Sequence, residues 1–145
     1  MSDSSKARSS CWASHCSAMK LTKLSTLLVV DAIEPCLGTW QALGYAITVR
    51  VPEEGPLGFA ILSGAAGELM LQTRASLAED LPALEAKQPS HLLYGDVASL
   101  ETATKAAIAS NATLLVPQRK TFYGANEVWF ELTDGMILGL AEHAS

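Results

Sequence analysis

From Leu24 onward, short apolar runs and turn residues alternate in an order that occurs twice along the chain. Leu24 to Val30 is an apolar, β-branched run with the pattern of a strand. Asp31-Ala-Ile-Glu34 has the spacing of a helix capping box, in which Asp31 accepts a backbone N–H and Glu34 reaches back. Cys36, Leu37, Trp40 and Leu43 then recur at helical spacing up to Gly44, a residue suited to a helix C-terminus. Tyr45 to Val51 reads as a strand and Pro52 to Pro56 as a loop. Phe59 to Leu62 and Glu68 to Gln72 are strand-like runs on either side of Ser63-Gly-Ala-Ala-Gly67, a turn of hairpin length.

Ser76-Leu-Ala-Glu79 is a second capping box, opening a helical connector toward Leu84 that Pro82 and Pro89 limit. Ser90 to Tyr94 is a strand, and Asp96 or Ser99 caps a helix whose apolar Leu100, Ala103, Ala107 and Ile108 share one face until Asn111. Ala112 to Val116 is a strand and Pro117 to Tyr123 a loop. Glu127 to Leu132 pairs through an Asp134-Gly135 turn with Met136 to Glu142. Val30-Asp31 leads into a helix as Gly95-Asp96 does, and Glu68-Leu-Met stands where Gly139-Leu-Ala stands in the second half. A tandem βαβββ duplication accounts for the order, giving an α+β domain over residues 20–143 with modules at about 20–74 and 88–143.

Composition narrows the partners. At 145 residues and 49% hydrophobic, the chain suffices for one packed domain or two small halves sharing a core. The net charge is −5 and the basic residues are scattered, so no stripe follows a phosphate backbone and nucleic acid is not expected as a partner. No apolar run approaches the roughly 18 residues of a membrane span, and the leader lacks the apolar stretch of a secretory signal; the expected location is cytoplasmic. Met1 to Ala18, rich in Ser, has no periodicity and reads as a mobile extension, natural or added as a tag, with the domain starting near Met19-Lys20. Cys11, His15 and Cys16 within it are too few for a closed zinc site, and the three cysteines of the chain make no disulfide framework.

The duplicated order, together with the ending Tyr123-Gly124, Glu127, Phe130 and Asp134-Gly135, resembles the vicinal oxygen chelate superfamily of glyoxalases, bleomycin-resistance proteins and extradiol dioxygenases. Asn126 stands where that family usually has Arg, and Leu132-Thr133 where it has Asp-Pro. The resemblance spans Leu21 to Glu142 and implies that each module curls into half of an open, U-shaped barrel around a ligand cavity, in a homodimer. It also implies four metal-ligand positions, which here fall on Leu24, Glu68, His91 (or Pro89) and Gly139. Leu24 and Gly139 carry no donor. Glu68 and His91 alone fall short of the roughly three protein ligands a catalytic metal needs, so a metal-free pocket without a cofactor is expected over a divalent site.

Glu68 shares a strand face with Met70 and Gln72. On a cavity face it would meet a cationic group or serve as a general base; on a hairpin edge it would be a solvated carboxylate. His91 is a ligand contact, an acid or base, or an ordinary strand histidine able to pair with Glu68 if the modules face one another; His143, near the terminus, reads as solvated. Trp129 and Phe130 point to opposite faces, and the family register puts Trp129 on the cavity side, an assignment that a one-residue slip reverses. Tyr123 either lids a pocket or packs beside Gly124. Taken with the resemblance, these residues point to binding of a small apolar, aromatic or cationic organic molecule through Glu68, Met70, Gln72, His91, Tyr123 and Trp129, of the kind found in bleomycin-resistance proteins and antibiotic sequestration. The alternative is a metal-dependent lyase, isomerase or dioxygenase built on Glu68 and His91.

Overall fold

The computed structural model describes residues 20–143; the Ser-rich leader with Cys11, His15 and Cys16 lies outside the described residues. The elements are β1 (Leu21–Val30), α1 (Glu34–Ala42), β2 (Ala46–Val51), β3 (Phe59–Gly64), β4 (Gly67–Thr73), α2 (Arg74–Asp80), α3 (Pro82–Glu85), β5 (His91–Val97), α4 (Leu100–Ala109), β6 (Thr113–Lys120), β7 (Asn126–Glu131) and β8 (Ile137–Glu142). The expected α+β order of two βαβββ repeats joined by a helical connector is therefore realised. Hydrogen-bonded neighbours run β2-β3-β4-β1 in the first repeat and β5-β8-β7-β6 in the second, leaving β2 and β6 as open edges, so neither set closes into a barrel. By contacts the chain forms two compact units, one of Ser25–Tyr94 with Met136–Leu138, the other of 20–24, Gly95–Gly135 and 139–143 among the described residues.

In the first unit β1 pairs parallel with β4, which places Leu27 opposite Met70, Leu28 opposite Leu71 and Val29 opposite Gln72. Leu28 and Val30 pack with Cys36, Leu37 and Trp40 of α1 against a buried cluster of Ile33, Leu57, Ala60, Leu62 and Leu71. Leu27 and Val29, on the opposite face, are buried as well. Both faces of β1 are thus covered, which explains why its sequence is a continuous apolar run rather than an alternation. Trp40, partly buried against this cluster, meets Tyr45 edge to face at 5.5 Å.

Local signals were displaced by a few residues in several places. Helix α1 starts later than the capping box requires: its N-cap is Ile33, which has no side-chain cap, and Pro35 fits the first turn, where no N–H donor is needed. Glu34 is consequently at the first helical position and accepts instead from Leu57 N at 2.7 Å, while Asp31 lies 3.7 Å from Arg74 Nε. Leu43 is not on the packed face; it is the C-cap and is 67% exposed, with Gly44 following at φ +96°. The cap of α2 is Thr73 rather than Ser76, because strand β4 runs directly into the helix, and Thr73 Oγ1 accepts from Ser76 N at 3.1 Å. Ser99, not Asp96, caps α4, and Asp96 belongs to β5. Leu100 and Ala103 face the core, but Ile108 is exposed, since at 3.6 residues per turn it stands about 80° round from Leu100. Strand β6 continues to Lys120 through the expected loop; Pro117 is tolerated because β6 is an edge and its register with β7 shifts around that residue.

Candidate functional site

Register determines which side chains of the first unit stand together. The partners Leu27 and Met70, and Val29 and Gln72, share one face of the β1–β4 pair, opposite the face that meets α1. Ser25 and Glu68 extend the same row by one more step. Ser25, Leu27, Val29, Met70 and Gln72 are all at most 8% exposed, so this face is covered and largely apolar. Its polar groups are placed rather than scattered: Ser25 Oγ donates to Glu68 Oε1 at 3.3 Å, and Gln72 Nε2 donates to Ser76 Oγ at 3.1 Å. Glu68 is half-buried, between the two environments the sequence left open for it.

His91 is not brought to Glu68. It opens β5 with an exposed side chain, its Nδ1 3.2 Å from Ser90 Oγ, and Ser90 O accepts from Val29 N at 3.0 Å. That fixes the start of β5 at the level of Val29, whereas Glu68 lies at the level of Ser25. Four residues along a strand separate the two levels by roughly 13 Å.

The second unit holds Tyr123 and Trp129. Tyr123 is half-exposed, meets Phe122 edge to face at 5.0 Å and stacks on His143 at 6.3 Å. His143 is not simply solvated: its Nε2 lies 2.9 Å from Asp96 Oδ1. Trp129 is 2% exposed and its Nε1 donates to Glu127 Oε2 at 2.8 Å. The same oxygen accepts from Arg119 Nε and lies 2.9 Å from Arg119 Nη2, so a buried carboxylate carries both a guanidinium and an indole. Phe130, on the other face of β7, is fully buried.

The four metal-ligand positions implied by the fold family fit poorly. Leu24 is an exposed leucine, and the space beside Gly139 is taken by the Trp129 ring, with three indole carbons 2.7 to 2.8 Å from where a Cβ would be. Among the described residues, no three His, Cys, Asp or Glu side chains gather into a metal-binding group.

Several contacts at these sites had no sequence signal. Ser25 belongs to the apolar run by position, and only the parallel pairing of β1 with β4 sets it against Glu68. Arg119 and Glu127 are opposite charges flanking a hairpin, a usable hint, but the irregular register at Pro117 hides that they meet.

Comparison with solved structures places the fold. The chain is similar to a glyoxalase/bleomycin resistance protein/dioxygenase superfamily member from Vibrio splendidus 12B01, with TM-score 0.62 and 15% identity over 85% of this chain and 99% of that one. It is similar to methylmalonyl-CoA epimerase from Mycobacterium tuberculosis, with TM-score 0.63 and 16% identity over 86% and 90% of the two chains. A hypothetical protein from Bacillus halodurans C-125 matches at TM-score 0.64 and 16% identity over 87% and 95%. No protein-family model matches the chain, and no curated protein sequence does. The fold is that of the vicinal oxygen chelate superfamily, as the repeated order and the Tyr123-Gly124 to Gly135 ending imply. No helix among the described residues is long and apolar enough to cross a membrane.

Proposed function

We propose that this protein binds a small organic molecule, cationic or amphipathic, on the β1–β4 face that carries Ser25, Glu68, Met70 and Gln72, and that it does so as a homodimer without a resident metal. The observation that carries the reading is the placement of three polar side chains, Ser25, Glu68 and Gln72, in one row on an otherwise apolar and covered sheet face. Ligand sites combine apolar burial with a few placed polar groups in this way. Burial of ligand surface would supply the affinity and the Glu68 carboxylate the charge selectivity. His91 and Tyr123 keep exposed rings that can contact a solute within their own units.

The second reading is a metal-dependent lyase, isomerase or dioxygenase. It is favoured by the fold likeness to a protein described as an epimerase, and by Glu68, an acidic group in line with the covered face.

Elemental analysis after mild dialysis, with thermal-shift series in divalent ions and in aromatic cations, separates the two. The expected result is no retained metal and a melting temperature raised by an aromatic cation in wild type but not in Glu68→Gln. Near-stoichiometric retained metal would overturn the proposal in favour of the enzyme. Sedimentation velocity tests the dimer.

A further inference from the structure

One aligned position sets a charged residue of the first repeat against a glycine of the second. Glu68-Leu-Met in β4 corresponds to Gly139-Leu-Ala in β8, so a glycine in the second repeat stands at the position of a carboxylate in the first. Glycine in a strand either serves an unusual backbone conformation or leaves room for something close by. Gly139 is not among the glycines with positive φ, which are Gly44, Gly55, Gly67, Gly124 and Gly135. Room is therefore what it supplies. A Cβ built at residue 139 would meet Trp129 Cζ3 at 2.7 Å and Cε3 and Cη2 at 2.8 Å, distances that real Cβ atoms do not adopt.

The indole is also held there. Its Nε1 is bonded to Glu127 Oε2 at 2.8 Å, and Glu127, itself 2% exposed, is fixed by Arg119. Swinging the ring away from Gly139 would break a charge-assisted hydrogen bond inside the protein.

We infer that Trp129 is the internal occupant of position 139: its indole fills the space that a side chain on β8 would need, so the second repeat has no donor where the first presents Glu68. Neither a divalent ion nor an organic ligand can obtain a contact from the 139 side chain, and the last of the ligand positions implied by the fold family is closed by packing, beyond lacking a donor. The inference bears on the ligand-binding reading, because it leaves Glu68 as the repeat-equivalent carboxylate without a counterpart, but its test does not depend on any ligand.

The test is Gly139→Ala in the full chain and in a Trp129→Leu background. Ordinarily alanine in a strand is better than glycine by the entropy it removes from the unfolded chain, so an unobstructed site predicts an unchanged or raised melting temperature. The expected result is the opposite sign: a loss of roughly 5 to 10 °C with Trp129 present, from overpacking against the ring. In Trp129→Leu, the same change should cost less than about 2 °C, because the obstruction is gone. The indole N–H resonance of Trp129 should shift in Gly139→Ala, and this reading decides the matter together with the single variant if Trp129→Leu does not fold. A neutral or stabilising Gly139→Ala with an unmoved indole resonance would overturn the inference, as would an equal loss in both backgrounds, which would assign the cost to the backbone. The Glu68→Gln binding result speaks only to the ligand reading, so the two failures are distinguishable.

Discussion

The carboxylate of Glu142, at the end of β8, accepts the backbone N–H of Leu100, the first residue of helix α4, at 2.7 Å. Four N–H groups at a helix start lack internal partners. Ser99 Oγ accepts from Thr102 N at 3.3 Å, and Glu142, 42 residues away in sequence, takes another of these donors. An anion at this end also meets the positive pole of the helix. Glu142→Ala is expected to cost about 1 to 2 kcal/mol in urea unfolding, the size of a lost cap, with Glu142→Gln recovering part of it. An unchanged urea midpoint in Glu142→Ala would show that the strand does not cap the helix.

Glu34 plays a related part in the first unit, accepting from Leu57 N at 2.7 Å across the loop that precedes β3. This N–H holds the carboxyl below its ordinary value, with the residue's own backbone N–H adding to the effect. A carboxyl depressed in the folded state contributes stability above its unfolded value and loses that contribution as pH falls through the folded one. Wild type should therefore melt above Glu34→Gln near pH 7, and the gap should narrow on acidification below about pH 4. A gap that stays constant across that range would mean that the charge of Glu34 is immaterial to the loop.

Thr73 caps α2 through Ser76 N, and the Ser76 hydroxyl in turn accepts from Gln72 Nε2 on the covered face of β4. The cap thus ties the helical connector to one of the candidate ligand residues. Thr73→Ala is expected to cost about 1 kcal/mol by denaturant titration. Ser76→Ala should lower stability by a similar amount, about 1 kcal/mol or more, because it leaves the Gln72 amide without that acceptor on a covered face. If Ser76→Ala is neutral, the Gln72 side chain has another place to go, and its fixed orientation in the proposed site would have to be given up.

The fold was legible because strands and hairpins write themselves locally: Gly67 and Gly135, both at positive φ, mark the turns of β3–β4 and β7–β8, and the apolar runs between turn residues mark the strands. Helix starts were less so. Asp31-Ala-Ile-Glu34 and Ser76-Leu-Ala-Glu79 satisfy the capping-box spacing by composition, but strand ends and Pro35 decide where α1 and α2 begin. Pro117 read as a breaker since nothing in the sequence says that β6 is an edge. Of the candidate site, the shared face of Glu68, Met70 and Gln72 followed from the two-residue period. The contacts Ser25–Glu68 and Asp96–His143 did not, because they join residues 43 and 47 apart, and only strand register brings them together.

The strongest single contribution to the second unit's stability is expected from Glu127. Its Oε2 serves Arg119 and Trp129 at once, with the Glu127 side chain 3% exposed and that of Arg119 29% exposed. A buried ion pair gains little over a well-packed apolar pair, but removing one partner strands the other, and that asymmetry sets the size of the effect. Glu127→Ala should cost about 3 to 5 kcal/mol, since it leaves both the guanidinium and the indole N–H without this acceptor. Arg119→Met should cost less, because Arg119 reaches solvent, although it leaves the Glu127 charge with one fewer donor. If Arg119 acts mainly by neutralising that charge, then Glu127→Gln and Arg119→Met combined will be clearly less destabilising than the sum of the two single losses in urea unfolding. Strict additivity would mean that the guanidinium and carboxylate contribute through packing alone, and the indole would then be held by shape rather than by charge.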